Sequence, residues 1–132
     1  MTDSDPVRVL VVDDEPDLRI LLWLAVEADG RCAVVADASN GREGIEMAAE
    51  HQPDVIVLDQ LMPDMDGISA LPRLREAAPH AKVIMLSALP SEPHRTTAVR
   101  AGADAYVEKG ASLGPVLDLA VSLARDDQPD NG

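Results

Sequence analysis

Five times along the chain, a short run of branched apolar residues gives way to a longer stretch with helical spacing. This alternation is the strongest constraint on the fold. The runs are VRVLVV (7–12), CAVVAD (32–37), DVIVLD (54–59), KVIMLS (82–87) and AYVE (105–108). Runs this short and this continuously apolar suit strands covered on both faces. Between them the spacing predicts helices from Glu15-Pro16 to about Ala28, Asn40 to Glu50, Gly67 to Ala78, Ser91 or Glu92 to Ala101, and about Ser112 to Ala124. Pro16 and Pro93 stand in first turns, where a missing N–H costs nothing, and Asp29-Gly30 stops the first helix. Pro72 and Gly114-Pro115 are expected to disturb the third and fifth helices. A βα unit repeated five times gives an α/β fold: a parallel sheet with helices on both faces and right-handed crossovers.

Composition narrows the function classes. The chain has 132 residues, enough for one domain with a real core. With no Phe, one Trp and one Tyr, that core must be Val, Leu, Ile, Ala and Met. A net charge of −13 opposes direct binding to nucleic acid or to an anionic membrane. Cys32 is the single cysteine, so neither an internal disulfide nor a cysteine zinc cluster can form, and a buried structural thiol is expected. The longest apolar stretch, ILLWLAV, is too short to cross a bilayer, and no signal peptide is recognisable, so a cytoplasmic location is expected. Residues 1–5 and the polar tail RDDQPDNG (125–132) read as flexible, which leaves 6–124 as the domain.

Chemistry in an open parallel sheet collects at the carboxyl ends of its strands. The first strand ends in Asp13-Asp14, the third in Asp59, the fourth in Ser87, and the fifth is followed by Lys109. Taken singly, each has a bland reading: an Asp after a strand is usually a helix cap, a loop Lys a solvated charge, a Ser a turn residue. All of them at the same end of different strands is another matter. Three converging carboxylates repel one another, and one lysine offsets one unit of that charge. A divalent cation offsets two more, and a small set of oxygen ligands favours Mg²⁺. In MPDMDG, Pro63 and Gly67 bend the chain, and Asp64 or Asp66 is expected to cap the next helix rather than to bind metal.

These residues resemble those of the response-regulator receiver domains of bacterial two-component signalling. The likeness rests on Asp13-Asp14 in VVDDEP, Asp59 in LDQLMPDMDG with Met62-Pro63, Ser87 in MLSA, and Tyr106 and Lys109 in AGADAYVEKG, and it spans about Val7 to Ala124. It implies a flavodoxin-like (βα)5 fold with strand order 2-1-3-4-5. It further implies that Asp59 is the phosphoacceptor, that Asp14, Asp59 and the Leu61 carbonyl bind Mg²⁺, and that Asp13 acts on the metal through a water. Lys109 and Ser87 would serve the phosphoryl oxygens, and Ala88 would leave the phosphoryl group room. Ser87 and Tyr106 would switch the surface of helix four, strand five and helix five. The implied partners are a sensor histidine kinase or histidine phosphotransfer protein and a downstream protein target, and the only catalysis is of the chain's own phosphorylation and dephosphorylation.

The chain departs from the family pattern in two places. The family usually has a proline after the lysine, joined by a cis peptide that helps aim the amine, whereas this chain has Gly110. Leu61 and Leu89 are apolar where polar side chains would help position a hydrolytic water, so the resemblance implies a long-lived phosphoryl group. On the first helix, Leu18, Leu21, Leu22 and Ala25 are expected to cover the sheet. Ile20, Trp23 and Leu24 then lean outward, either as a kinase-docking stripe or under neighbouring loops. Nothing after Ala124 has the length of a DNA-binding output domain, so output by protein contact is expected, with a receiver cut from a longer regulator as the alternative. A haloacid-dehalogenase-like phosphatase, suggested by DMDG, is the remaining rival.

Overall fold

The structure, a computed structural model, describes residues 5–110 and 112–126. The expected flexible residues 1–4 and 127–132 lie outside that range. Ten elements alternate in the order β1 (Val7–Val12), α1 (Pro16–Asp29), β2 (Cys32–Ala38), α2 (Gly41–His51), β3 (Val55–Leu58), α3 (Gly67–Ala77), β4 (Lys82–Ser87), α4 (Ser91–Ala101), β5 (Ala105–Glu108) and α5 (Gly114–Asp126). The strands form one sheet in the order β2-β1-β3-β4-β5, with every pairing parallel. This is the flavodoxin-like arrangement that the resemblance implied.

The sheet is covered on both faces, which is why its strands carry no polar side. Alternate residues of β1 divide between two cores. Val7, Val9 and Val11 join Leu22 and Val26 of α1 and Val116, Leu117, Ala120 and Val121 of α5. Leu10 and Val12 join Ala48 of α2, Ala70, Leu71 and Leu74 of α3 and Ala98 of α4. Cys32 is buried in the first of these, and burial pushes its thiol pKa up, as befits a structural residue.

The structure corrects four sequence expectations. The buried stripe of α1 is centred on Leu22 and Val26, with Leu18 and Ala25 partly buried beside it. Leu21 is 54% exposed, because the helical repeat sets Val26 rather than Leu21 next to Leu22 on the sheet side. Secondly, α3 runs through Pro72 without a break, since Ala70, Leu71 and Leu74 anchor its buried face on either side of the lost hydrogen bond. Thirdly, Gly114-Pro115 opens α5 instead of weakening it, with Pro115 in a first turn that needs no N–H. The last is that α5 continues to Asp126, two residues into the stretch expected to be flexible. In α4, Glu92 keeps extended backbone angles (φ −103°, ψ 131°), so the regular helix starts at Pro93 as the sequence suggested.

Gly67 ties the fold to the rim above it. A Cβ at Gly67 would stand 2.5 Å from the Asp59 carbonyl oxygen, so α3 starts directly against the loop that leaves β3. Gly67→Ala must therefore push that loop aside, and it should cost roughly 1–3 kcal/mol, the scale of an overpacked site. Urea denaturation of the two proteins side by side reads this directly, and equal midpoints would contradict the close approach.

Candidate phosphoryl-transfer site

Sheet hydrogen bonding continues just past the strands and fixes the rim residues relative to one another. The Asp13 N–H donates to the Ala38 carbonyl at 3.0 Å, the Asp59 N–H to the Val12 carbonyl at 2.9 Å, and the Lys109 N–H to the Ser87 carbonyl at 2.7 Å. Backbone ladders alone thus bring Asp13, Asp59, Ser87 and Lys109 from four strand ends to one edge. The Lys109 ammonium bridges the acids, with Nζ 3.0 Å from Asp13 Oδ2 and 3.2 Å from Asp59 Oδ2. One carboxylate oxygen from each of Asp13, Asp14 and Asp59 lies within 4.8 Å of the others, a grouping able to hold a cation.

The acids differ in their surroundings. Asp13 and Asp59 are buried, while Asp14 is more open to solvent. Burial, and then the charge of Asp13, push the Asp59 carboxyl up to about 6, against the opposing pull of Lys109 and of the Leu61 N–H that donates to Asp59 Oδ1 at 3.2 Å. Burial also raises Asp13, although the Glu15 N–H and Lys109 favour its charged form. For Lys109, burial works to lower the pKa, but hydrogen bonds to Glu15 and Asp13 and the nearby negative charge outweigh it and hold the ammonium above its ordinary range. The amine is charged, and the acids around it are left with an excess of negative charge that one lysine does not remove.

Ser87 is fully buried at the end of β4, and its hydroxyl oxygen accepts from the Leu89 N–H at 3.2 Å. That bond uses a lone pair and leaves the hydroxyl proton to donate. Tyr106 is 4% exposed and turned inward, with its hydroxyl donating to the Leu89 carbonyl at 2.7 Å. In the loop after β3, Asp66 caps α3 through the Ser69 N–H (2.8 Å), and Asp64 sits in a turn with φ 69°. Neither DMDG acid stands at a strand end, which removes the geometric basis for the dehalogenase-like reading.

The Lys109–Gly110 peptide is trans, because the one cis bond among the described residues is Glu92–Pro93. Gly110 has φ 104°, in the left-handed region that favours glycine, and the amine still reaches both buried acids. Sequence reasoning overlooked Glu15, whose Oε1 lies 2.7 Å from Lys109 Nζ, closer than either aspartate. The available signal was the third acid of VVDDEP, directly after the pair.

Residues 9–119 match the family described as response regulator receiver domain. The chain belongs to that family. The receiver is 44% identical over 111 residues to a protein-glutamate methylesterase/protein-glutamine glutaminase of Rhodospirillum centenum, covering 83% of this chain and 28% of that protein. It is 35% identical over 111 residues to the chemotaxis protein CheY of Bacillus subtilis, covering 84% of this chain and 92% of CheY. Among solved structures, the response regulator domain of Thermotoga maritima CheB superposes with a TM-score of 0.84 at 33% identity, over 95% of this chain and all of that one. The CheY of a CheX–CheY–BeF3–Mg²⁺ complex from Borrelia burgdorferi gives 0.79 at 29% identity, over 89% of each chain. The receiver spans about half or less of several curated relatives, 28% of the methylesterase and 50% of Escherichia coli NarL. None of its described helices is long and apolar enough to cross a membrane.

A raised Asp59 pKa has a thermodynamic consequence. The folded protein holds the proton more tightly than an unfolded chain, whose ordinary value is 3.8, so stability from this group is lost as pH rises through about 6. In EDTA at about pH 7, Asp59→Asn should therefore be more stable than wild type, by on the order of 1–3 kcal/mol, with the gap closing toward about pH 4. Thermal melts across that range provide the check. A variant less stable than wild type at neutral pH would show that the buried charge is fully compensated.

Proposed function

We propose that the receiver takes a phosphoryl group from a phosphohistidine onto Asp59 and thereby switches the surface formed by α4, β5 and α5. The observation that carries this reading is the Lys109 ammonium within 3.2 Å of the Asp59 carboxylate, beside a second buried acid and a buried serine hydroxyl. An Asp59 carboxylate oxygen forms the new O–P bond as the P–N bond to the donor imidazole breaks, and that electron pair stays on the imidazole nitrogen. Such a transfer needs alignment and charge neutralisation more than covalent chemistry. Lys109 supplies one positive charge, and the Ser87 hydroxyl, already oriented through Leu89, donates to a phosphoryl oxygen.

The donor set suits a small hard cation: three carboxylates, all oxygen, two buried and one facing solvent, with more negative charge than Lys109 cancels. Asp14, Asp59 and the Leu61 carbonyl would hold Mg²⁺ directly, and Asp13 through a water. When bound, the ion supplies the remaining positive charge for the phosphoryl oxygens. The CheX–CheY–BeF3–Mg²⁺ complex from Borrelia burgdorferi supports Mg²⁺ as the ion for a receiver of this fold. The receiver promotes this transfer to itself and its later hydrolysis, and turns over no separate substrate. Phosphate oxygens that draw Ser87 inward also move Leu89, and through it Tyr106.

The donor is a sensor histidine kinase or a histidine phosphotransfer protein, and the output is contact with a downstream protein. Ile20, Trp23 and Leu24 of α1 are 57%, 42% and 60% exposed, which leaves them uncovered by neighbouring loops. We assign this apolar stripe, on the helix that follows the Asp13-Asp14 loop, to partner docking.

Incubation with Mg²⁺ and acetyl phosphate, followed by intact mass, tests the core of the reading. A gain of about 80 Da, one phosphoryl group, should appear in wild type, be absent in Asp59→Asn, and decay more slowly than in Leu61→Asn. Labelling of Asp59→Asn to the same extent would place the acceptor elsewhere. For the docking stripe, Trp23→Ala should slow transfer from a phosphorylated histidine kinase domain roughly tenfold, the scale of one aromatic anchor, while acetyl phosphate labels it normally. Equal slowing with both donors would locate the defect in the site itself.

A further inference from the structure

An ammonium group has three protons to donate, and the structure gives Lys109 three carboxylate partners. Two are the buried acids of the site, and the third and nearest is Glu15, which approaches from the loop between β1 and α1. We propose that Glu15 is a positioning residue, aiming the Lys109 amine at Asp59 from across the rim. The inference rests on the phosphoacceptor reading above and adds a residue to it.

The chain beside Lys109 does little to fix the amine. Its backbone N–H is anchored to Ser87, but a flexible four-carbon stem separates that anchor from the charge. Gly110 follows at φ 104°, and among the described residues nothing beyond its chain neighbours comes within 4 Å of where a Cβ would stand. Gly110 itself therefore adds no side chain that could brace the amine.

Glu15, by contrast, is held on a firm stem. Its N–H donates to Asp13 Oδ1 at 2.8 Å, its carbonyl accepts from the Arg19 N–H at 3.2 Å, and Pro16 follows it at the start of α1. The result is a closed triangle. Asp13 Oδ1 fixes the Glu15 backbone, Asp13 Oδ2 pairs with Lys109 at 3.0 Å, and the Glu15 carboxylate closes on Lys109 at 2.7 Å. Once a phosphoryl oxygen takes over the Asp59 contact, Asp13 and Glu15 still hold the amine in place.

Exposure suits Glu15 to this task. Its side chain is 61% exposed, against 16% for Lys109. Water therefore screens its repulsion with the buried acids, while the short charge-assisted hydrogen bond keeps its direction. The competing possibility is an ordinary surface ion pair, which would contribute almost nothing.

Two measurements decide between these. The first needs no phosphodonor: the Lys109 ammonium resonance in ¹⁵N-lysine-labelled protein should be sharp and slow to exchange in wild type, and broadened or lost in Glu15→Ala. The second is the rate of the about 80 Da gain against acetyl phosphate concentration in excess Mg²⁺. Glu15→Ala should lower the limiting rate roughly five- to tenfold, as for one charge-assisted hydrogen bond, with half-saturation unchanged. Glu15→Gln, of the same shape, should fall between the two, and either substitution should have no further effect in a Lys109→Ala background. An unchanged ammonium signal, an unchanged or faster rate in both Glu15 variants, or the same loss without Lys109 would overturn the positioning role. Absence of labelling in wild type would instead overturn the phosphoacceptor reading, and the inference with it.

Discussion

The site depends on one amine shared between two buried carboxylates. Desolvating Asp13 and Asp59 side by side is costly, and each raises the other's affinity for a proton. Lys109 lowers that cost without cancelling it, as the raised Asp59 pKa records. An arrangement left with this much negative charge attracts positive charge. The cost of burying this rim and its pull on positive charge therefore have the same origin, an incompletely compensated carboxylate at the end of a buried strand.

The sheet makes that concentration of charge possible. Parallel strands buried on both faces have ends that cannot drift, since each is hydrogen-bonded to its neighbour up to the rim residue itself. Asp13, Asp59, Ser87 and Lys109 come from strand ends far apart in sequence and are placed by backbone hydrogen bonds rather than by long loops. Helices cover both faces of the sheet, so its polar groups gather at the carboxyl ends of the strands. Gly67 shows how tight the fit is: α3 begins against the Asp59 carbonyl with room for no side chain.

The parts of this molecule that were legible in its sequence are those whose physics is local. The apolar runs of β1, β3 and β4 announce strands because both of their faces are buried, and the acids, hydroxyl and lysine at their ends follow once the strands are parallel. The less legible parts depend on neighbours. Leu21 looked like a core residue because spacing cannot tell the centre of a buried stripe from its margin; α5 and the sheet decide that. Pro72 looked disruptive because propensity takes no account of the flanking packing that holds α3 together. The partners of Lys109 were only half visible: the two aspartates followed from the strand ends, whereas Glu15 required knowing how the chain turns into α1.

Leu89 offers the most direct route from the rim to the outer surface. Its N–H donates to the Ser87 hydroxyl and its carbonyl accepts from Tyr106, so one residue is tied both to a buried rim hydroxyl and to a buried aromatic. One step further along, the Ser91 N–H and hydroxyl both donate to Glu108 Oε2, at 2.9 and 2.7 Å, fastening the start of α4 to the end of β5 beside Lys109. The loop from β4 to α4 is thus pinned to β5 at two places and to Ser87 at a third. A pull on Ser87 cannot be absorbed locally; it must either strain the Tyr106 and Glu108 contacts or carry them along. Because α4 has one buried residue, Ala98, it resists such a displacement less than any helix packed along its full face. Under the proposed function, a small movement of oxygen atoms at the rim would be passed through these contacts to α4 and β5.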